Sequence, residues 1–367
     1  MAAMYIHEQK DWPNFYWEEV PMIKLLSSIK HRQGRLIGYM GALGFSFQSE
    51  ALLQTHTLNI VKTSEIEGEM LSSDQVRSSV ARQLGIEIAG LVPSNRNVDG
   101  VVEMMLDATK NYHEPLTKSR LFAWHKRLFT NNKGRLKTGQ WRTDAKGRMQ
   151  VVSGSIGKEK VRFVAPEAKD VDKEMKIFFS WFNRDIPIDP LLKASIAHLW
   201  FVTIHPFEDG NGRIARAIAD LQLARADQSG QRFYSMSAQI QKERSDYYTA
   251  LEQSQKGTLD ITAWQCWFIE CLNGALDATE LTLAKVMLKA KFWERFSKLH
   301  LNSRQRIMIN KLLDDFEGKL TTIKWGKMAK CSHDTALRDI QDLIGKDILS
   351  KDITGGRSTC YTLKVIE

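Results

Sequence analysis

Along most of the chain, apolar residues recur at spacings of three and four, the period of helices with one buried face. Residues 1–92 open with aromatic anchors in DWPNFYWEEV. Long helical patterns follow through MIKLLSSIKHRQGRLIGYM and SEALLQTHTLNIVKTSEIEGEM, and LVPSNRN reads as a loop. Residues 97–272 begin with helices at VDGVVEMMLDATKNYH and KSRLFAWHKRLF. The pattern then changes. MQVV and KVRFV are short β-prone runs separated by Ser-Gly-Ser-Ile-Gly, which predicts a hairpin or flap. Helices resume at VDKEMKIFFSWF and at IDPLLKASIAHLWFVTI, where Asp189 suits the N-cap and Pro190 the first helical position. GRIARAIADLQLAR, KERSDYYTALEQSQ and TAWQCWFIECLNGAL follow as helices. Residues 273–300 read as a helical linker. Residues 301–367 read as three helices and a strand-turn-strand over ILSKDITGGRSTCYTL, the layout of a winged helix. The expected fold is mainly α: a helical bundle with a small β-hairpin flap, an N-terminal helical extension and a C-terminal winged-helix module.

Composition narrows the setting. At 367 residues the chain exceeds what one hydrophobic core usually organises, so two or three domains are expected. No apolar run approaches the ~20 residues of a membrane span. MAAMYIHEQKDWPNF lacks the layout of a signal peptide. A cytoplasmic protein without a membrane role is the expectation. Cys266, Cys271, Cys331 and Cys360 have no zinc spacing and read as small apolar residues. The net charge of +9 favours anionic partners without choosing among them.

The densest chemistry lies in HPFEDGNGRIAR, residues 205–216. His205 stands where a helix ends and can serve as a general base near neutral pH. Gly210, Asn211 and Gly212 allow a backbone turn whose N–H groups converge on an anion at a helix start, and Asn211 could also cap that helix. Arg213 and Arg216 share one side of the first turn, while Ile214, Ile218 and Leu221 form the apolar stripe. Two cations at the positive end of a helix dipole cost roughly 0.3–1 kcal/mol each, so their placement makes sense if a polyanion sits there. Asp209 adds a single carboxylate, which with phosphate oxygens and water is a common way to hold Mg²⁺. A base, a metal ligand, an anion nest and two phosphate clamps together point to phosphoryl or nucleotidyl transfer.

The stretch resembles the signature of the Fic family, H-x-F-x-[D/E]-G-N-G-R-x-x-R, at every fixed position. The resemblance extends to GQWRT, the flap, DYYTALEQ and DITAWQCWF, and the N-terminal part is similar to an extension found on one group of Fic proteins. It implies transfer of AMP from ATP to a Ser, Thr or Tyr hydroxyl of a protein. His205 would deprotonate the target and Asp209 would hold Mg²⁺ at the α- and β-phosphates. Asn211 with the backbone of Gly210 and Gly212 would cradle phosphate, Arg213 would bind the β-phosphate and Arg216 the γ-phosphate. Phe207 would be structural. Tyr247 and Gln255 would lie near the adenine. Val152, Ser153, Gly154 and Ser155 of the flap would pair with a target peptide by strand addition.

KTSEIEGEM is similar to the family's inhibitory motif, [S/T]-x-x-x-E-[G/N], with Thr63, Glu67 and Gly68 at its fixed positions. Thr63 and Glu67, four apart on a helical pattern, would share a face. Arg216 is costly to leave unpaired in a pocket, and Glu67 could pair with it when no γ-phosphate is in place. The same glutamate could position a water for removal of AMP. Residues 301–367 hold 12 Lys+Arg against 9 Asp+Glu. Their third helix carries Asp334, Asp339 and Asp342 against Arg338 and Lys346, a poor footprint for DNA phosphates. DNA stays open but disfavoured beside protein docking or a homodimer. The rival reading is a nucleotide-sensing regulator that uses the same core as a ligand switch. His205 and Asp209 favour the enzyme, because sensing needs no base.

Overall fold

The computed structural model describes residues 5–364, apart from 43–44, 89, 132–133, 135, 146, 155–156, 159, 314–315, 317 and 353–358. Two compact units divide the chain, Met1–Thr279 and Glu280–Glu367. The N-terminal helices thus share one unit with the motif rather than standing apart from it.

In the first unit the helices are α1 (Val20–Ala42), α2 (Phe45–Ile66), α3 (Ser73–Leu84), α4 (Arg96–Lys110), α5 (Lys118–Leu128), α6 (Val171–Asn183), α7 (Pro190–Ile204), α8 (Asn211–Asp227), α9 (Met236–Lys242) and α10 (Arg244–Gln255). Helix α11 (Thr262–Arg295) begins in this unit. Helix α7 explains the arrangement. Its sequence is apolar all round, and every residue from Leu191 to Ile204 is buried, as expected of a central helix. Asp189 caps it through Leu191 N and Pro190 is its first residue, as the sequence predicts. Helix α8 packs along α7, so the loop joining them, which carries the motif, is anchored at both ends.

Two helices escaped the sequence reading. Helix α3 follows a Ser72 N-cap and buries Val76, Val80 and Ala81, a stripe too small and too interrupted by serines to stand out. Helix α9 follows a Ser235 N-cap and has only seven residues. KERSDYYTALEQSQ is helical from Arg244 on, as α10, while Lys242 ends α9 and Glu243 lies between the two.

Helix α2 lies against α8 with polar side chains matched at four-residue intervals. Asn59 Nδ2 donates to Asp220 Oδ2 at 2.8 Å, and one turn along Arg216 Nε donates to Thr63 Oγ1 at 2.7 Å. A further turn brings Glu67 over Gly212, where a Cβ would lie 2.1 Å from Glu67 Oε1. The residues rise by four on α2 and fall by four on α8, so one face of each helix meets in antiparallel register. Asp220 is neutralised in turn by Arg232 at 3.1 Å, which keeps this buried row paired.

The flap consists of β1 (Gln150–Ser153) and β2 (Lys160–Val164), antiparallel, with an irregular register between Val151 and Val152. Phe163 is buried, while Val152 is 51% exposed. No helix among the described residues is long and apolar enough to cross a membrane.

The second unit contains α12 (Ser303–Leu313), α13 (Thr322–Ala329), α14 (His333–Gly345), β3 (Leu349–Lys351) and β4 (Tyr361–Leu363). The two strands are antiparallel, and Leu320 bridges to Tyr361. Trp325, Ile340, Leu343 and Leu349 form part of its core. The predicted Gly-Gly turn lies outside the described residues. Asp339 is buried and bound by Arg304 at 2.9 Å, and Asp342 pairs with Lys346 at 2.5 Å. Each pairing takes up a cation as well as an acid, so the charge balance of the unit is unchanged.

Candidate active site

The site is built on the α7–α8 loop. His205 ends α7 in the left-handed region, φ 51°, with its N–H bonded to Phe201 O. That conformation is uncommon for a non-glycine residue, and it turns the side chain out of the helix line. His205 Nδ1 lies 3.3 Å from Val202 O. A carbonyl only accepts, so Nδ1 carries the proton and Nε2 keeps its lone pair. Burial, with Arg142 adding to it, pulls the His205 imidazole down to about 4, so it is neutral at physiological pH.

The loop itself is held from three sides. Asn211 Oδ1 accepts from Phe207 N at 3.0 Å and its Nδ2 donates to Phe207 O at 2.8 Å. The N-cap position of α8 is Gly210, φ 81°, and Asn211 is the first helical residue. The side chain of Asn211 therefore staples the loop rather than capping α8. His125 stacks on Phe207, with ring centroids 4.1 Å apart. Its Nδ1 accepts from Gly139 N at 2.9 Å, so its Nε2 donates to Asp209 O at 3.2 Å. Arg142 donates through Nε to His205 O at 2.7 Å and through Nη2 to Pro166 O at 2.5 Å, and its backbone N–H bonds Pro206 O. Phe207 is fully buried, as the resemblance implies.

Both motif arginines are buried and both are paired with glutamates. Arg216 Nη2 meets Glu67 Oε1 at 2.8 Å and Thr63 O at 2.9 Å. Burial alone would raise the Glu67 carboxyl, but the charge and hydrogen bond of Arg216 outweigh it and hold it below the usual range. Thr63 ends up one turn inside α2, while Glu67 lies just past its last residue and Gly68 follows at φ 80°. Arg213 Nη1 meets Glu69 Oε2 at 2.5 Å, and Asn97 Nδ2 donates to the other oxygen of that carboxylate. Arg213 Nε is buried without a hydrogen-bond partner among the described residues.

A cavity of ≈ 610 Å³ opens beside His205. Of the residues singled out from sequence, Glu67, Val152, Ser153, His205, Gly212, Tyr247 and Gln255 line it. Asn211 is turned into the loop, and Ser155 lies outside the described residues. Gly154, φ 110°, follows β1 without lining the cavity. Tyr247 is buried with its hydroxyl 3.0 Å from His198 Nε2, so it forms a wall and packs at once. Asp209 is exposed, and its Oδ1 accepts from Gly210 N at 2.6 Å. Glu69, His125, Arg142 and Thr203 were not singled out from sequence. Each acts through a long-range or backbone contact that no local pattern announces.

The Fic/DOC family model matches residues 115–223, and the model described as Domain of unknown function (DUF4172) matches residues 5–86. Protein adenylyltransferase fic-1 of Caenorhabditis elegans is 29% identical over 56% of this chain, which covers 38% of that protein. Protein adenylyltransferase Fic of Nematostella vectensis is 25% identical over 62% of this chain, which covers 49% of its length. The chain thus spans half or less of these relatives. Among solved structures, a Fic family protein from Desulfovibrio desulfuricans aligns with a TM-score of 0.55 at 20% identity, over 94% of this chain and 95% of its own. Fic-1 of C. elegans aligns with a TM-score of 0.51 at 23% identity, over 73% of this chain and 74% of its own. The mainly helical fold is the one these neighbours share, and the chain carries a Fic/DOC family domain.

Proposed function

We propose that this protein transfers AMP from ATP to a hydroxyl side chain of a protein, itself included, and that its own N-terminal helices restrain the reaction. The target oxygen attacks the α-phosphorus, the bond to the bridging oxygen of the β-phosphate breaks, and diphosphate leaves. His205 Nε2 takes the hydroxyl proton. The observation that carries this reading is the placement of His205: its Nδ1 lies 3.3 Å from Val202 O, which leaves Nε2 to accept a proton, and the residue lines a cavity of nucleotide size. A nucleotide sensor has no use for a histidine prepared in this way.

The phosphates belong at the start of α8, where the backbone N–H groups and the two arginines converge. Glu67 lies over Gly212 in this structure, so a chain carboxylate takes the place proposed for the γ-phosphate. The exposed Asp209 carboxylate would be the protein ligand to Mg²⁺. Among the described residues no cluster of three or more His, Cys, Asp or Glu could hold a metal, so such an ion would depend on phosphate oxygens as well. When bound, Mg²⁺ would neutralise charge on the phosphates. A target segment would add to the flap at β1, where Val152 is exposed.

The test is a mass shift of one AMP on the protein or an added target after incubation with ATP and Mg²⁺. It should vanish in His205→Ala. A chain that binds ATP yet shows no such adduct, even with Glu67 replaced by glycine, would end the enzymatic reading.

A further inference from the structure

The far wall of the cavity contains a short relay whose direction is set by chemistry. Thr203, on α7, is fully buried, and its Oγ1 lies 2.7 Å from Leu199 O. A carbonyl oxygen cannot donate, so the threonine proton is committed to it. The same Oγ1 lies 3.3 Å from the side-chain amide of Gln255, at the end of α10. With its only proton spent, the hydroxyl can act toward Gln255 solely as acceptor. Gln255 must therefore turn its NH₂ group to Thr203, and the amide cannot be flipped without placing two acceptors against each other. What remains for a ligand is Gln255 Oε1, which takes no donor among the described residues, and Gln255 lines the cavity. Val202, Leu251, Phe163 and Tyr247 supply apolar and aromatic surface to the same cavity, beside polar residues such as Arg162 and Glu252.

We infer that Thr203 is a positioning residue for nucleobase choice, fixing Gln255 so that the cavity accepts a base bearing an exocyclic amine and disfavours one bearing a carbonyl at the same place. This inference rests on the reading of the cavity as a nucleotide site. A fixed acceptor gains a hydrogen bond from the 6-amino group of adenine. Against a 6-oxo purine it faces a second acceptor, and a mismatched buried polar pair discriminates far better than shape alone.

The test compares ATP with inosine triphosphate, which carries a 6-oxo group. Equilibrium binding is measured on the full chain carrying Glu67→Gly, so that the phosphate subsite is open. ATP should bind about tenfold or more tightly than inosine triphosphate. In Thr203→Val the amide loses its fixed partner and can turn its NH₂ to the 6-oxo group, so the ratio should fall toward one. Thr203→Ser, which keeps the hydroxyl, should retain the ratio. Equal binding of the two nucleotides by the Glu67→Gly chain, or a ratio unchanged in Thr203→Val, would overturn the relay. Binding of neither nucleotide would instead refute the cavity's assignment as a nucleotide site, and the relay with it.

Discussion

Arg213 and Glu69 form an ion pair of their own, 2.5 Å apart, separate from the pair between Arg216 and Glu67. The two glutamates leave the end of α2 two residues apart and reach two arginines three apart on α8. Each cation proposed for phosphate is thus held by a different carboxylate. Asn97 steadies Glu69 from α4, so the second pair does not depend on the first.

Removing Glu69 should therefore add to the effect of removing Glu67. In the Glu67→Gly chain, Glu69→Ala is expected to raise self-modification by a further factor of roughly 3–10. That range is modest because Glu69 does not line the cavity, whereas Glu67 does, and a partly exposed pair is weakened by solvent. Initial rates of AMP incorporation from labelled ATP in the single and double variants decide it. A double variant no faster than Glu67→Gly would mean that Arg213 is available to phosphate despite Glu69.

Glu67→Gly alone should raise self-modification by roughly 10–100-fold, the range for releasing one charge-assisted hydrogen bond to the buried Arg216 at the place proposed for the γ-phosphate. Arg216 should stay in place, because Thr63 still offers its hydroxyl and carbonyl at 2.7 and 2.9 Å. The same labelled-ATP assay checks this, with His205→Ala added as a zero. Activity unchanged by the substitution would remove the restraint from the proposal.

The legible part of this molecule was the part encoded locally. The α7–loop–α8 run could be read because Asp189, Pro190, the two glycines and the two arginines act within a few positions of one another. Glu67 could be found only through its resemblance to a known inhibitory motif. Glu69, two residues on, has no local mark, and its partner lies 144 positions away. His125 and Arg142 work through backbone carbonyls of the loop; Arg142 lies in GQWRT, which carries part of the resemblance, but any residue type can supply a carbonyl, so the contact itself leaves no mark in the sequence. The side chain of Asn211 is hidden from the sequence for a related reason. Asparagine before a helix suggests a cap, but its amide closes on Phe207 four residues back, and the glycine before it takes the cap position.

Acid should destabilise the fold earlier than its carboxylates alone require. Burial holds His56, His125 and His205 down to about 4, and His198 down to about 3. An unfolded histidine takes up its proton near 6.5. Between those values the unfolded chain binds more protons than the folded one, so stability falls as pH falls and is level above that window. His56 is 3% exposed and its Nε2 has no partner among the described residues, so His56→Leu removes the titration with little loss of contact. Its stability should fall less steeply between about pH 6 and 4.5, by up to about one proton, or roughly 1.4 kcal/mol per pH unit. Chemical denaturation across that range measures the slope. Parallel slopes for the two chains would show that His56 is protonated in the fold.

Arg142 should matter to both stability and turnover without touching substrate. Its guanidinium serves His205 O, Pro166 O and Asp144, and its position fixes the carbonyl of the residue proposed as base. Lysine keeps a charge but not the planar fork that meets several acceptors at once. Arg142→Lys is therefore expected to cost about 1–3 kcal/mol, the penalty for leaving buried carbonyls unserved. Loss of the His205 position should lower kcat at least tenfold, the scale at which a small misplacement of a catalytic group is felt. KM for ATP should change by less than about threefold, because Arg142 is not among the residues lining the cavity. The comparison is made in the Glu67→Gly chain, with denaturation and steady-state rates measured on the same preparation. A destabilised variant with normal kcat would confine Arg142 to the fold, and a raised KM with normal kcat would place it in nucleotide binding.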